Sequence, residues 1–258
     1  MKTIYYYQTF VGLDKILNHI QDVDVIIISS IHFGDNKIYL NDNIPNDNIF
    51  DQLWLETKKA YVQGCKIMLM VGGAGGAYKQ LFSDFQTYYP LLRDLIKEKD
   101  WISGIDIDVE ENTSIENIQM LIRNLVNDFG DGFTITMAPI ASSLINDGSS
   151  ISGINYKTLF QSNEGKYISW FNTQCYDSFS INTYESIVKN GYSPEKFVMG
   201  MESGQFDSES FKGAIKTIQE LYKKYPKFGG VYDWEYLNAP PDKNDPSQWA
   251  YLIKSLYN

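Results

Sequence analysis

A chain of 258 residues, 43% hydrophobic and 15% aromatic, can bury one large core or two small ones, and α/β barrels commonly use about this length as a single unit. Its net charge of −10, its pI near 4.7 and the scatter of its Lys and Arg argue against nucleic acid or an anionic membrane as partner, and leave a neutral or cationic ligand. No run approaches the ~20 apolar residues of a membrane span.

The opening MKTIYYYQTF shows no signal-peptide h-region or cleavage site, and its aromatic alternation reads as a first strand at 3–10. The expected location is therefore cytoplasmic, or secreted with a signal already removed. Further strand-like runs lie at 23–31, 65–73, 102–110, 132–140, 168–177, 196–203 and 229–236. Helical periodicity is clearest at 50–64, 114–130, 210–226 and 245–257. Ser114 followed by Asn117 caps one start, Gly64 and Gly130 end two helices, and Pro226 bars the continuation of a third. Cys65 and Cys175 fall in apolar strand-like runs and read as reduced core residues, not a disulfide framework.

Strands alternating with helices imply parallel pairing through crossover helices. Eight such units favour a closed (β/α)8 TIM barrel in one domain over residues 1–258, with a doubly wound open sheet as the alternative. The longest loops, 32–48 and 141–156, follow the second and fifth strands. In a barrel they would lie on the C-terminal face, where active sites are built.

The fourth strand, WISGIDIDVEE, poses a chemical question. Ile105, Ile107 and Val109 alternate with Asp106, Asp108 and Glu110, so every carboxylate of this set points into the barrel. Buried carboxylates are costly unless paired or hydrogen-bonded. Neighbours on one strand face are roughly 6.6 Å apart and raise one another's pKa, which keeps a carboxylic acid protonated for general-acid work. Glu110, at the rim, is best placed to reach a substrate. Metal binding and purely structural hydrogen bonding are the other readings. His19 and His32 are the only histidines, and nothing else spells a ligand set, so neither a metal nor a cofactor is expected. A glycine-rich MLMVGGAGGAY matches neither the dinucleotide nor the P-loop spacing and reads as a tight strand exit that lets substrate approach.

The stretch S-G-I-D-I-D-V-E, Ser103 to Glu110, resembles the strand-4 signature D-G-x-D-x-D-x-E of family 18 glycoside hydrolases, the chitinases and endo-β-N-acetylglucosaminidases. GGVYDWEY resembles that family's last strand, whose Trp234 would floor the reacting sugar. FNTQCYD resembles the sixth, with Gln174 and Tyr176 facing substrate and Asp177 following. TMAPI carries Met137, and IYYYQ resembles the first strand of plant-type members, with Tyr5 and Gln8 pointing in. Gly72 and Gly73 match the S-x-G-G of the third strand.

The resemblance implies substrate-assisted hydrolysis. Glu110 protonates the glycosidic oxygen, the 2-acetamido carbonyl of the substrate attacks its own anomeric carbon, and an ionised Asp108 stabilises the oxazolinium ion. Asp106 shares a proton with Asp108, Tyr176 donates to the acetamido oxygen, and configuration is retained. Only a few residues separate Ser203 from the helix near Ser208, where processive relatives insert an α+β module. An insertion-free cleft would be open and endo-acting. The implied partner is an N-acetylglucosamine-containing oligo- or polysaccharide bound by a monomer. Chitin-type β-1,4 polymers lead, the N-glycan core is the alternative, and a non-catalytic sugar-binding protein is the rival of another class. Two departures, Ser103 for the outermost acid and Met70 before the paired glycines, are expected to repack the barrel floor and shift its proton network.

Overall fold

The computed structural model describes residues 1–148 and 151–257. Ser149 and Ser150, within the expected 141–156 loop, and Asn258 lie outside the described residues.

Nine strands form in chain order: β1 (Lys2–Tyr7), β2 (Val25–Gly34), β3 (Lys37–Leu40), β4 (Lys66–Gly72), β5 (Ile102–Asp108), β6 (Thr134–Met137), β7 (Ile168–Gln174), β8 (Phe197–Glu202) and β9 (Gly230–Trp234). Eight pair in parallel in the order β1-β9-β8-β7-β6-β5-β4-β2, and β1 returns to pair with β2, which closes the (β/α)8 TIM barrel and removes the open-sheet alternative.

β3 is the element absent from the sequence reading. The 32–48 segment is no simple loop, because β2 runs on to Gly34 and folds back antiparallel on β3, with Gly34 opposite Lys37. Asp35 and Asn36 turn the hairpin at φ 48° and 55°. Two consecutive positive φ values suit a two-residue turn whose twist matches its strands, and Asp and Asn tolerate them. The GDNK sequence carried that signal.

Alternation divides each strand between two cores. Odd positions such as Tyr5, Ile105, Ile107, Met137, Phe171 and Met199 pack outward against the helices. Even positions fill the barrel in layers, with Ile4, Met68, Trp170 and Val198 below and Tyr6, Met70 and Tyr232 above, except on β2, where Val25 and Ile27 face in. The outer layer includes Asp51–Val62, Ile115–Phe129, Ser208–Lys224 and Ser247–Lys254, each within a few residues of its sequence-derived span. Ser114 caps its helix by accepting from the Asn117 amide at 3.2 Å. Cys65 and Cys175 are free and buried, and among the described residues no helix is long and apolar enough to cross a membrane.

Inside the barrel Tyr232 lies directly over Gly200, where a Cβ would sit 2.0 Å from its ring. Gly200→Ala should therefore destabilise the fold by about 1–3 kcal/mol through overpacking. Thermal denaturation should show this as a melting point several degrees lower.

Candidate active site

The acidic strand now has surroundings. Asp106 is fully buried at the level of the Tyr6 and Tyr232 rings. Its Oδ2 accepts from the Tyr6 hydroxyl at 2.6 Å, and its Oδ1 accepts from the Thr136 hydroxyl at 2.6 Å and from Asn172 Nδ2 at 2.9 Å. Asn172 is oriented by Trp170 Nε1, which donates to its Oδ1 at 2.8 Å. Burial pushes the Asp106 carboxyl up, and the three donors pull against that shift.

Asp108, one layer nearer the rim, is also buried but has a single long donor, Gln174 Nε2 at 3.4 Å. Desolvation first, then the Glu110 and Asp106 carboxylates, hold its carboxyl well above the usual range. Asp106, with three donors, is thus equipped to carry charge, and Asp108 to carry a proton. Glu110 is half-buried at the mouth and accepts from the same Gln174 amide at 3.1 Å. The amide nitrogen therefore bridges the two carboxyl groups.

Aromatic rings wall the other side. Trp234 stands over Tyr6 at a centroid distance of 5.3 Å. The Tyr176 hydroxyl lies 3.3 Å from that of Tyr232, and burial raises its pKa well above the ordinary phenol value. Tyr176 is a neutral hydrogen-bond donor at any working pH. These groups open into a cleft of about 640 Å³ lined also by Gln8, Met70, Gly72, Gly73, His32 and Asp42. No Lys or Arg is among its lining residues. The floor depends on two glycines with positive φ, 97° at Gly72 and 83° at Gly73. A Cβ on Gly72 would lie 2.2 Å from the Asp108 carbonyl, so only glycine lets the β4 exit cross β5 so closely.

Of the residues singled out in the sequence, Asp108, Glu110, Gln8, Gly72, Gly73, Gln174, Tyr176 and Trp234 converge on this cleft, with Asp106 beneath them. Three do not. Tyr5 points outward: its hydroxyl donates to the Pro246 carbonyl and its ring packs 4.9 Å from Trp249, so it docks the last helix on the barrel. Tyr5 and Gln8 are three apart and cannot share a strand face, and Tyr6 takes the inward place. Met137 is wholly buried in the outer core, since its neighbour Thr136 pairs with Asp106 and faces in. Asp177 is an exposed turn residue at φ 57°, its amide held by Gln205 Oε1 at 2.9 Å.

The two departures also separate. Met70 lies in the barrel core and lines the cleft floor. Ser103 is the extra residue of a β-bulge, skipped between the Ile67–Ile102 and Met68–Gly104 pairs, and donates to the Ile67 carbonyl at 3.3 Å, so its expected part in the proton network is withdrawn. Sequence reading missed Tyr6 and Asn172, which strict counting in twos from Gln8 and Gln174 would have found, and Thr136, which the β5–β6 pairing places opposite Asp106. It also missed His32 and Asp42, which only the unrecognised hairpin brings to the cleft. Among the described residues no cluster of three or more His, Cys, Asp or Glu could hold a metal ion.

Barrel and cleft together define a carbohydrate-cleaving enzyme of the acidic-strand kind, with carboxyl groups, a carboxamide and rings at the C-terminal ends of parallel strands. The family model of glycosyl hydrolases family 18 matches residues 2–255, and the chain belongs to that family. It is 33% identical to a fungal endo-β-N-acetylglucosaminidase of known structure, with a TM-score of 0.88 over 99% of this chain and 98% of that one. It is 32% identical to a chitinase from Aspergillus fumigatus, with a TM-score of 0.85 over 100% and 99% of the two chains. A chitinase from Pseudoalteromonas aurantia, at 20% identity and a TM-score of 0.77 over 99% and 100%, shares the fold. No curated protein matches the chain.

The raised Asp108 pKa has a consequence for stability. The folded protein retains a proton that the unfolded chain releases near pH ~4, so stability is lost as pH rises above that value until Asp108 itself ionises. Asp108→Asn removes this loss. The variant should melt higher than wild type at neutral pH, with the gap closing as pH falls toward ~4; a gap that is constant across thermal scans at several pH values would contradict the retained proton.

Proposed function

We propose that the protein is a retaining, endo-acting hydrolase of β-1,4-linked N-acetylglucosamine chains, working through substrate assistance. The observation that carries this reading is the graded set of carboxyl groups on one strand face beneath Tyr176 and Trp234, with Gln174 bridging the outer two. In this reading the proton that Asp108 keeps is handed to Glu110 when substrate binds. On Glu110 that proton passes to the leaving glycosidic oxygen, and Asp108 is left ionised. A sugar stacked on Trp234 places its 2-acetamido group beside Asp108, whose charge stabilises the cation forming as the acetamido oxygen attacks the anomeric carbon. The Tyr176 hydroxyl donates to that oxygen and holds it in line. Water, deprotonated by Glu110, then opens the oxazolinium ring from the face the leaving group vacated, so configuration is retained.

The C-terminal end of β8 supports endo action. One short turn, Ser203–Gln205, separates β8 from the helix that starts at Ser208. Among the described residues no wall rises on that side, and a polymer can lie across the cleft. The second reading is cleavage within the N-glycan core, favoured by the 33% identity to a fungal endo-β-N-acetylglucosaminidase.

Hydrolysis of N-acetylglucosamine oligomers and of a high-mannose glycopeptide, with products identified by mass, separates the two substrates. Glu110→Gln should lower kcat at least ~100-fold, the scale of a lost general acid. Undiminished turnover in that variant, or binding without turnover in the wild type, would sink the proposal. kcat/KM should be bell-shaped in pH, falling on the acid side as the carboxyl pair takes a second proton and on the alkaline side as it loses its only one. A rate still rising at high pH would remove Glu110 from the acid's role.

A further inference from the structure

Glu110 stands where the barrel has stopped holding the chain. The last residue of β5 paired to β4 is Asp108, opposite Gly72, and the last paired to β6 is Ile107. Val109 is anchored in the outer core, but the backbone at Glu110 has no ladder, and its side chain takes a single neutral hydrogen bond from Gln174 at 3.1 Å. A proton donor must nevertheless be fixed to within a fraction of an ångström.

The next residue supplies the missing support. Glu111, half-buried, turns its carboxylate back to the β4 exit, where Oε1 accepts from the Ala77 and Tyr78 amides, both at 2.6 Å. A carboxylate taking two backbone N–H bonds makes a strong, directional tie. The loop it grips is itself fixed. The Tyr78 hydroxyl donates to the Val71 carbonyl at 2.6 Å. The Gly73 amide donates to the Asp108 carbonyl at 3.0 Å. On the far side His32 Nδ1 meets the Gly76 carbonyl at 2.6 Å. Carbonyls only accept, so Nδ1 carries the hydrogen, and Nε2 lies 2.7 Å from the Ser30 hydroxyl. Gly76, at φ 70°, leaves no more than 3.0 Å between a would-be Cβ and Glu111 Oε1.

We infer that Glu111 is a positioning residue that fixes Glu110 by tying the end of β5 to the loop His32 holds from the other side. The inference rests on Glu110 being the proton donor.

The test compares Glu111→Ala, Glu111→Gln and Glu110→Gln on an N-acetylglucosamine pentamer and a high-mannose glycopeptide, using whichever the wild type cleaves, alongside amide hydrogen exchange. Glu111→Ala should lower kcat ~10- to 100-fold, the effect of a misplacement of about 1 Å, with KM nearly unchanged. Exchange should quicken at residues 77 and 78 and around Glu110. Glu111→Gln keeps the length and an accepting oxygen, so most of kcat should return. Wild-type kcat in Glu111→Ala despite a lower melting point would make the tie a structural brace only and overturn the inference. So would equal losses in Ala and Gln, which would assign the effect to charge, or unchanged exchange around Glu110. Full turnover in Glu110→Gln would instead bring down the acid assignment, whatever the Glu111 variants do.

Discussion

Burying two carboxyl groups on one face of one strand, with a third half-buried just beyond its end, is the constraint on which the rest of this molecule depends. A carboxylate removed from water needs donors or a proton. The barrel meets the need unequally along β5. At depth, Tyr6 from β1, Thr136 from β6 and Asn172 from β7 converge on Asp106. One layer up, Asp108 has one long bond and two negative neighbours. The gradient separates the two buried acids: the saturated one is suited to holding charge and the starved one to keeping a proton.

The same gradient explains why aromatic side chains crowd the upper barrel. Tyr6, Tyr232, Tyr176 and Trp234 form a chain of ring contacts from the Asp106 layer to the cleft. The Tyr6 hydroxyl donates to Asp106, and that of Tyr232 to Tyr176. Gly200 leaves room for the Tyr232 ring. Stability is given up for this site, since a buried Asp108 is a poor structural residue. The outer ring of hydrophobic residues, continuous around all eight barrel strands, makes up for it.

Much of this was legible in the sequence because period-two alternation is a property of the strand itself. The run from Ile105 to Glu110 announced both its faces, and the strand–helix succession announced parallel pairing. Where that counting lapsed, the reading failed. Tyr5 was placed inward together with Gln8, and Met137 was preferred to Thr136, although each pair of neighbours must point oppositely. The β2–β3 hairpin was passed over because GDNK was read as loop, and His32 and Asp42 were lost with it. Glu111 was assigned no role in the sequence. Nothing in its local sequence says that it turns back to a loop 34 residues earlier.

The sequence by itself determined the strand faces, the helix caps and the presence of three inward acids, because each is set by bonds within a few residues of chain. Tertiary structure alone decided which acid is satisfied, which is protonated and what holds Glu110. Those outcomes depend on donors and dielectric supplied by strands far apart in sequence, brought together only when β1 closes on β2.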